Sequence, residues 1–260
     1  MFRTTVAWLF ALLVAACGGG GGDGSSTTTP TQAPDPTLNT LSVASSYTGM
    51  TYPIKVYLPP GYATSTGAKP VVYAMDDELQ GGEIKAAMAS LDLDAILVTI
   101  SYVSSGQRFI DFDLPGANDY LKFLTLELIP RVEAQYRVDS TRRTLMGYSL
   151  SGLMGMIALL EDGPPRYFSG YVMTDPSLQF HTQELLALEQ KLWDTTHNLP
   201  VKVHHCSTAP DSPSAQLQDR IQARGYQGLR YDFQLYLFMS HASVLDPCIR
   251  DGLRFVFGVT

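Results

Sequence analysis

Positive charge is scarce and nowhere clustered: 18 Lys and Arg stand against 25 Asp and Glu in 260 residues, a net charge of −7. Without a Lys/Arg run, the electrostatic footprint of a nucleic-acid binder is missing. The excess of acid favours solubility and says little about substrate. Long apolar stretches are also missing. The longest unbroken one, Val6 to Ala16, is too short to span a bilayer comfortably and fits the h-region of an export signal behind the positive start Met1-Phe2-Arg3. No internal repeat and no second linker interrupt the rest. A metal-ligand pattern is lacking too. Of the five histidines, at 181, 197, 204, 205 and 241, only two are adjacent, and neighbours on a strand point to opposite faces. No metal and no cofactor is expected.

Cysteine is equally sparse, with three residues. Cys17 ends Leu13-Val14-Ala15-Ala16-Cys17, which resembles a bacterial lipobox whose thiol receives the lipid. Gly18, rather than Asp, follows it and favours the outer membrane over retention at the inner one. Residues 18–37 are rich in Gly, Ser, Thr and Pro and read as a flexible tether reaching about 25 Å. Three segments follow: a lipoprotein leader over 1–17, the tether over 18–37 and one folded domain over 38–260. The expected location is periplasmic, with membrane contact only through the anchor. Cys206 and Cys248 remain in the mature domain, where an oxidising compartment permits either one disulfide or two separate thiols.

The domain alternates strand and helix. Strands are predicted at 52–58, 71–75, 95–100, 144–146, 170–173, 201–204 and 232–238. Helices are predicted at 83–91, 118–136, 150–161, 182–193, 214–224 and 243–257, with Pro130 bending or interrupting the second. This order predicts an α/β class with a mostly parallel central sheet covered on both faces, and chemistry at the carboxyl ends of its strands.

Between a strand and a helix stands Gly147-Tyr148-Ser149-Leu150-Ser151-Gly152. It is one residue away from G-x-S-x-G, the nucleophile elbow, with Ser151 in the last position. A sharp strand-to-helix turn needs small neighbours around the serine, and Gly147, Ser151 and Gly152 are small. Ser149 is the candidate nucleophile. A serine hydroxyl needs a base, and in the Ser, acid, His order of such folds only His241 follows the last strand. The Leu150 N–H, opening the helix, is placed to receive a developing oxyanion.

These stretches belong to a longer series. Ile54-Lys55-Val56-Tyr57-Leu58-Pro59-Pro60-Gly61-Tyr62, Pro70-Val71-Val72-Tyr73-Ala74-Met75-Asp76, Glu127-Leu128-Ile129-Pro130 and Tyr136-Arg137-Val138-Asp139 precede the elbow. Asp175-Pro176-Ser177-Leu178 and Ser240-His241-Ala242-Ser243-Val244 follow it. In this order they resemble the putative-esterase family of α/β-hydrolases, related to S-formylglutathione hydrolases, siderophore esterases and mycolyl transferases, over about residues 41–258. The resemblance implies the α/β-hydrolase fold and a serine carboxylic ester hydrolase acting on a small-molecule ester through an acyl-enzyme. An acyltransferase and a non-catalytic binding module of the same fold are the alternatives. It also implies an acid after the strand at 201–205, where the family usually has Glu. This chain offers only Asp211 there, whose alternative task is to cap the following helix; Asp175 is the competing acid, and a Ser–His dyad without an acid is the remaining alternative. By the same likeness the second oxyanion donor is the Glu78 N–H. Asp77 stands where the family has a Gly; Gly allows a positive φ there, which Asp tolerates less readily. A Cys206–Cys248 bridge would tie the acid loop to the histidine element.

Overall fold

The computed structural model describes residues 37–163 and 165–260. The leader with Cys17 and the tether as far as 36 lie outside the described residues. Eight strands form one sheet: β1 (Leu38–Ala44), β2 (Thr51–Tyr57), β3 (Lys69–Met75), β4 (Ile96–Ile100), β5 (Val138–Tyr148), β6 (Gly170–Thr174), β7 (Lys202–Ser207) and β8 (Arg230–Leu235). Their spatial order is β1-β2-β4-β3-β5-β6-β7-β8. The first two strands are antiparallel to their neighbours and the other six run parallel. β3, β4 and β6 are apolar and buried nearly throughout, as strands covered on both faces must be.

The helices are α1 (Gly82–Ser90), α2 (Ser105–Phe112), α3 (Gly116–Lys122), α4 (Ile129–Glu133), α5 (Leu150–Glu161), α6 (Thr182–Thr195), α7 (Pro213–Arg224) and α8 (Leu245–Phe257). One sheet face packs on α1 and α8 through Ile84, Met88, Leu245, Ile249 and Leu253. The other carries the larger core, including nearly all of the apolar side chains of α5. Close approach on the α8 side is possible because Gly170 and Gly252 lack side chains. A Cβ on Gly252 would lie 2.4 Å from Val172, well inside van der Waals contact.

Several elements depart from the sequence reading, the unpredicted α2 among them. β1 was not expected: only Val43 of its seven residues is buried, so no alternation marks it. The helix expected across 118–136 is divided by a π-helical turn, Phe123–Leu128, just before Pro130. The widened turn absorbs the proline's missing N–H and the bulk of its ring without ending the helix.

Two adjacent buried histidines close the sheet near β8. His204 Nδ1 pairs with Asp232 at 2.8 Å, and His205 Nδ1 with the Tyr231 hydroxyl at 2.8 Å. Burial, then the neighbouring His204, push His205 down from 6.5 to about 3. The imidazole is therefore neutral in both folded and unfolded chains above pH ~6.5. Below that, only the unfolded chain takes the proton. We predict that the His205 contribution to stability is flat at neutral pH and falls by up to about 1.4 kcal/mol per pH unit from ~6.5 toward 3. Urea melts of the wild type and His205→Asn should show this slope difference; parallel pH profiles would refute it.

Candidate active site

The elbow begins with covalent geometry. β5 ends at Tyr148 and α5 starts at Leu150, leaving one residue, Ser149, to reverse the chain. Its φ of 58° and ψ of −117° are a strained combination for a residue with a side chain. Neighbours hold it there. The Ser149 N–H donates to the Thr174 carbonyl at 3.0 Å, and the Ser149 carbonyl accepts from Ser177 and Leu153, each at 3.0 Å. A Cβ on Gly147 would lie 2.2 Å from the Ser151 carbonyl oxygen, and one on Gly152 2.8 Å from Pro176. Neither glycine can be replaced without opening the crossing.

Ser151, the departure from the motif, has a task of its own. It is fully buried. Its hydroxyl accepts from the Tyr148 N–H and donates to the Tyr148 carbonyl, each at 2.9 Å. Both backbone groups of the residue before Ser149 are thus bonded at the point where the strand ladder ends.

His241 is in the loop between β8 and α8. Its ring stacks on Tyr148, with centroids 4.7 Å apart and planes 23° apart, and its carbonyl accepts from the Tyr148 hydroxyl at 3.0 Å. The imidazole therefore lies against the residue next to Ser149. Its Nδ1 pairs with Asp175 Oδ2 at 2.7 Å. Nδ1 is occupied, so Nε2 is the end available for proton exchange. The Ser149 hydroxyl pairs with Ser177 Oγ at 3.3 Å. Among the described residues no hydrogen bond joins it to His241; catalytic hydrogen bonds are often long or poorly aligned in unliganded sites.

The acid differs from the first choice made from sequence. Asp211 is exposed in the turn before α7, and the structure does not bring it to His241. Nor does it cap the helix, because Ser212 does so by accepting from the Ala215 N–H. The carboxylate on the imidazole comes one strand earlier, from Asp175 at the end of β6. The loop after β7, where the acid was expected, contributes a donor instead. Thr208 gives its N–H to Asp175 Oδ1 and its hydroxyl to Oδ2, both at 3.0 Å. Burial pushes the Asp175 carboxyl up, but the bonds from His241 and Thr208 outweigh it and hold the group below its ordinary value of 3.8. Nothing in the sequence singled out Thr208, since a threonine in a polar loop carries no signature.

Cys206 and Cys248 form a disulfide with Cα atoms 6.3 Å apart. It joins the end of β7, two residues before Thr208, to α8.

Glu78 follows β3 in a short π-helical turn, Asp77–Gly81. The positive φ of this loop falls on Asp76, at 58°, not on Asp77. Asp77 therefore replaces glycine without strain, and its carboxylate pairs with Lys55 at 2.5 Å. Asp76 is fully buried and held by a bidentate Arg108, at 2.8 and 2.7 Å. Its carbonyl accepts from Leu79 and Gln80, which leaves the N–H groups of Asp77 and Glu78 at the open start of the turn. Leu150 is the first residue of α5, and its N–H likewise has no acceptor within the helix. A cleft of about 280 Å3 runs from Asp175 and His241 between the segments Pro176–Gln179 and Ser207–Ala209 to the start of α7. Phe112 is buried in the core, whereas Phe109 and Phe180 are more than half exposed.

The sequence profile described as "Putative esterase" matches residues 45–228. Ferri-bacillibactin esterase BesA of Bacillus subtilis is 25% identical over 228 residues, covering 72% of this chain and 78% of its own. The solved structure of an IroE-like serine hydrolase from Shewanella oneidensis is 26% identical, with a TM-score of 0.73 over 84% of this chain and 79% of that one. The BES protein from Bacillus cereus superposes with a TM-score of 0.74 over 89% and 98%, at 21% identity.

Removing the Ser151 hydroxyl leaves the buried Tyr148 N–H without its partner. Ser151→Ala is expected to cost about 1–3 kcal/mol of stability, read as a lower midpoint in thermal unfolding. An unchanged midpoint would mean the bond contributes nothing to holding the turn.

Proposed function

The chain belongs to the putative-esterase family and is a serine carboxylic ester hydrolase; from that premise we propose that its reaction passes through an acyl-enzyme on Ser149. The observation that carries this reading is the pairing of His241 with Asp175 beside the strained turn at Ser149. Ser149 Oγ attacks the ester carbonyl while His241 Nε2 takes its proton. Asp175 holds the imidazole in the tautomer with the proton on Nδ1 and stabilises the imidazolium. The oxyanion of the tetrahedral intermediate is received by the Leu150 N–H at the positive end of α5 and by the Glu78 N–H, each contributing about 3–4 kcal/mol to the barrier reduction. His241 returns the proton to the leaving alcohol. Water then attacks the acyl carbonyl and loses its proton to the same nitrogen, which passes it to Ser149 Oγ as the bond to the acyl group breaks and the acid leaves.

For substrate, the name of the B. subtilis relative supports an ester of the ferri-bacillibactin kind. Hydrolysis of such an ester should exceed that of feruloyl and p-nitrophenyl esters of graded chain length; a preference for simple acyl chains would redirect the assignment.

The triad assignment has a sharp test. Ser149→Ala should abolish both hydrolysis and labelling by a fluorophosphonate. Asp175→Asn should lower kcat by about a thousandfold or more through loss of the correct tautomer, whereas Asp211→Asn should leave it within about twofold. Equal losses from both aspartates would overturn the assignment of the acid.

We propose further that the folded domain is held at the periplasmic face of the outer membrane by lipid on Cys17, through the tether 18–37. The run Leu13-Val14-Ala15-Ala16-Cys17 supports this. Cells fed radiolabelled palmitate should label the wild type and not Cys17→Ser; label on both proteins would exclude Cys17 as the attachment point.

A further inference from the structure

At the end of the sheet opposite Ser149, a cleft of about 310 Å3 opens where β5, β6, β7 and β8 begin and where α8 ends. Parallel pairing aligns Thr144, Gly170, Lys202 and Arg230 in one row across four strands. Strand alternation puts Arg142, two residues before Thr144, on the same face. Three cations therefore line one cleft: Arg142, Lys202 and Arg230. Lys202 and Arg230 are direct cross-strand partners, an arrangement that costs stability when both carry the same charge.

Among the described residues none of the three is paired with an acid. No carboxylate forms a salt bridge with any of the three, although cations elsewhere, such as Lys55, Lys69, Arg108, Arg143 and Arg220, are paired with acids. Asp139 senses the charge of Arg142, but its side chain bonds Thr141. Lys202 Nζ donates to the Val256 carbonyl at 2.6 Å. The negative end of the α8 dipole favours a cation there, which accounts for one lysine and not for two arginines beside it. Arg230 stands over the Phe255 ring at 5.6 Å, a contact that steers its guanidinium and leaves its charge in place. Burial, then Arg230 and Arg142, hold the Lys202 ammonium below its ordinary value. Between Thr144 and Lys202 the row passes through Gly170, over which Val256 of α8 packs closely: a Cβ there would meet Val256 at 2.7 Å and Thr144 at 2.8 Å. Two exposed arginines with no acid partner among the described residues flank the partly buried Lys202 in one cleft of a chain with net charge −7, a cationic patch that fits an anion.

We propose that this cleft binds a phosphate group, which the two guanidiniums of Arg142 and Arg230 and the Lys202 ammonium would share. Guanidinium geometry matches two oxygens of a phosphate, and the cavity leaves room for what that phosphate is attached to. The source is either a soluble phosphate or the headgroup of a phospholipid. The site is on the far side of the sheet from Ser149, so its occupation and the esterase chemistry are separate properties.

The test is isothermal titration of the full-length protein at low salt with two probes: inorganic phosphate, and glycerophosphoglycerol as an acyl-free headgroup diester. Saturable binding is expected for at least one, weakening with added NaCl and at least about tenfold weaker in Arg142→Gln/Arg230→Gln. Tighter binding of inorganic phosphate identifies the soluble source, and tighter binding of the diester the lipid. Hydrolysis of p-nitrophenyl acetate by the double variant should match the wild type, showing that it is folded. Its melting temperature without phosphate should be no lower, since like-charge repulsion has been relieved. Phosphate should raise the melting temperature of the wild type only. Ser149→Ala must keep the binding. The proposal is overturned if neither probe binds, if the double variant binds as well as the wild type, or if Ser149→Ala loses the binding, which would trace it to the catalytic centre.

Discussion

A single tight crossing, where β5 turns into α5, governs the site. The chain reverses over one residue, and Ser149 is left at a positive φ with its hydroxyl clear of the sheet. The crossing tolerates no Cβ at 147 or 152. It is fastened by bonds from neighbouring strands and from Ser151. The strain is of the order of 1–3 kcal/mol and is outweighed by the burial of α5, in which every residue from Leu150 to Leu160 is buried. Each such apolar side chain contributes about 1.5–3 kcal/mol. Rigidity at the crossing matters more for function than its cost, because an attacking atom displaced by about 1 Å loses most of the advantage of proximity.

Around that fixed point the other groups converge from separate strands. Asp175 follows β6, Thr208 follows β7, His241 follows β8, and the Asp76–Glu78 turn follows β3. All these positions are at the carboxyl edge of the parallel part of the sheet, where strand ends meet across the sheet and loops are free to vary. The acid can therefore move from one strand end to the next while its neighbour changes from carboxylate to hydrogen-bond donor. Here the β7 loop supplies Thr208, whose two bonds keep Asp175 ionised and aimed at the imidazole.

What was legible in the sequence follows from how local each signal is. Helix α5 coincides with its predicted bounds, because an elbow followed by an unbroken apolar run has a single reading. Most inner strands were visible as short apolar runs. β1 escaped because an edge strand with one buried residue shows no period. α2 escaped because eight residues containing Gly106 are too few to establish one. Ser149 and His241 could be chosen by motif and chain order. The acid could not, since Asp175 and Asp211 both follow a strand and only the fold decides which faces the imidazole. The question over Asp77 also had a three-dimensional answer: the left-handed residue is its neighbour, Asp76, whose carboxylate Arg108 holds.

The bridge between Cys206 and Cys248 encloses the β8 strand and the histidine loop in one covalent ring, with the cysteines 42 positions apart. A cross-link of that span takes about 4 kcal/mol of chain entropy from the unfolded state. One end is anchored next to the threonine that steadies the acid, the other on the helix that carries the chain away from the base. Thiol reduction would leave those two elements related only by packing and hydrogen bonds, so the alignment of acid and base is leashed to the redox poise of the surroundings in which the protein matures.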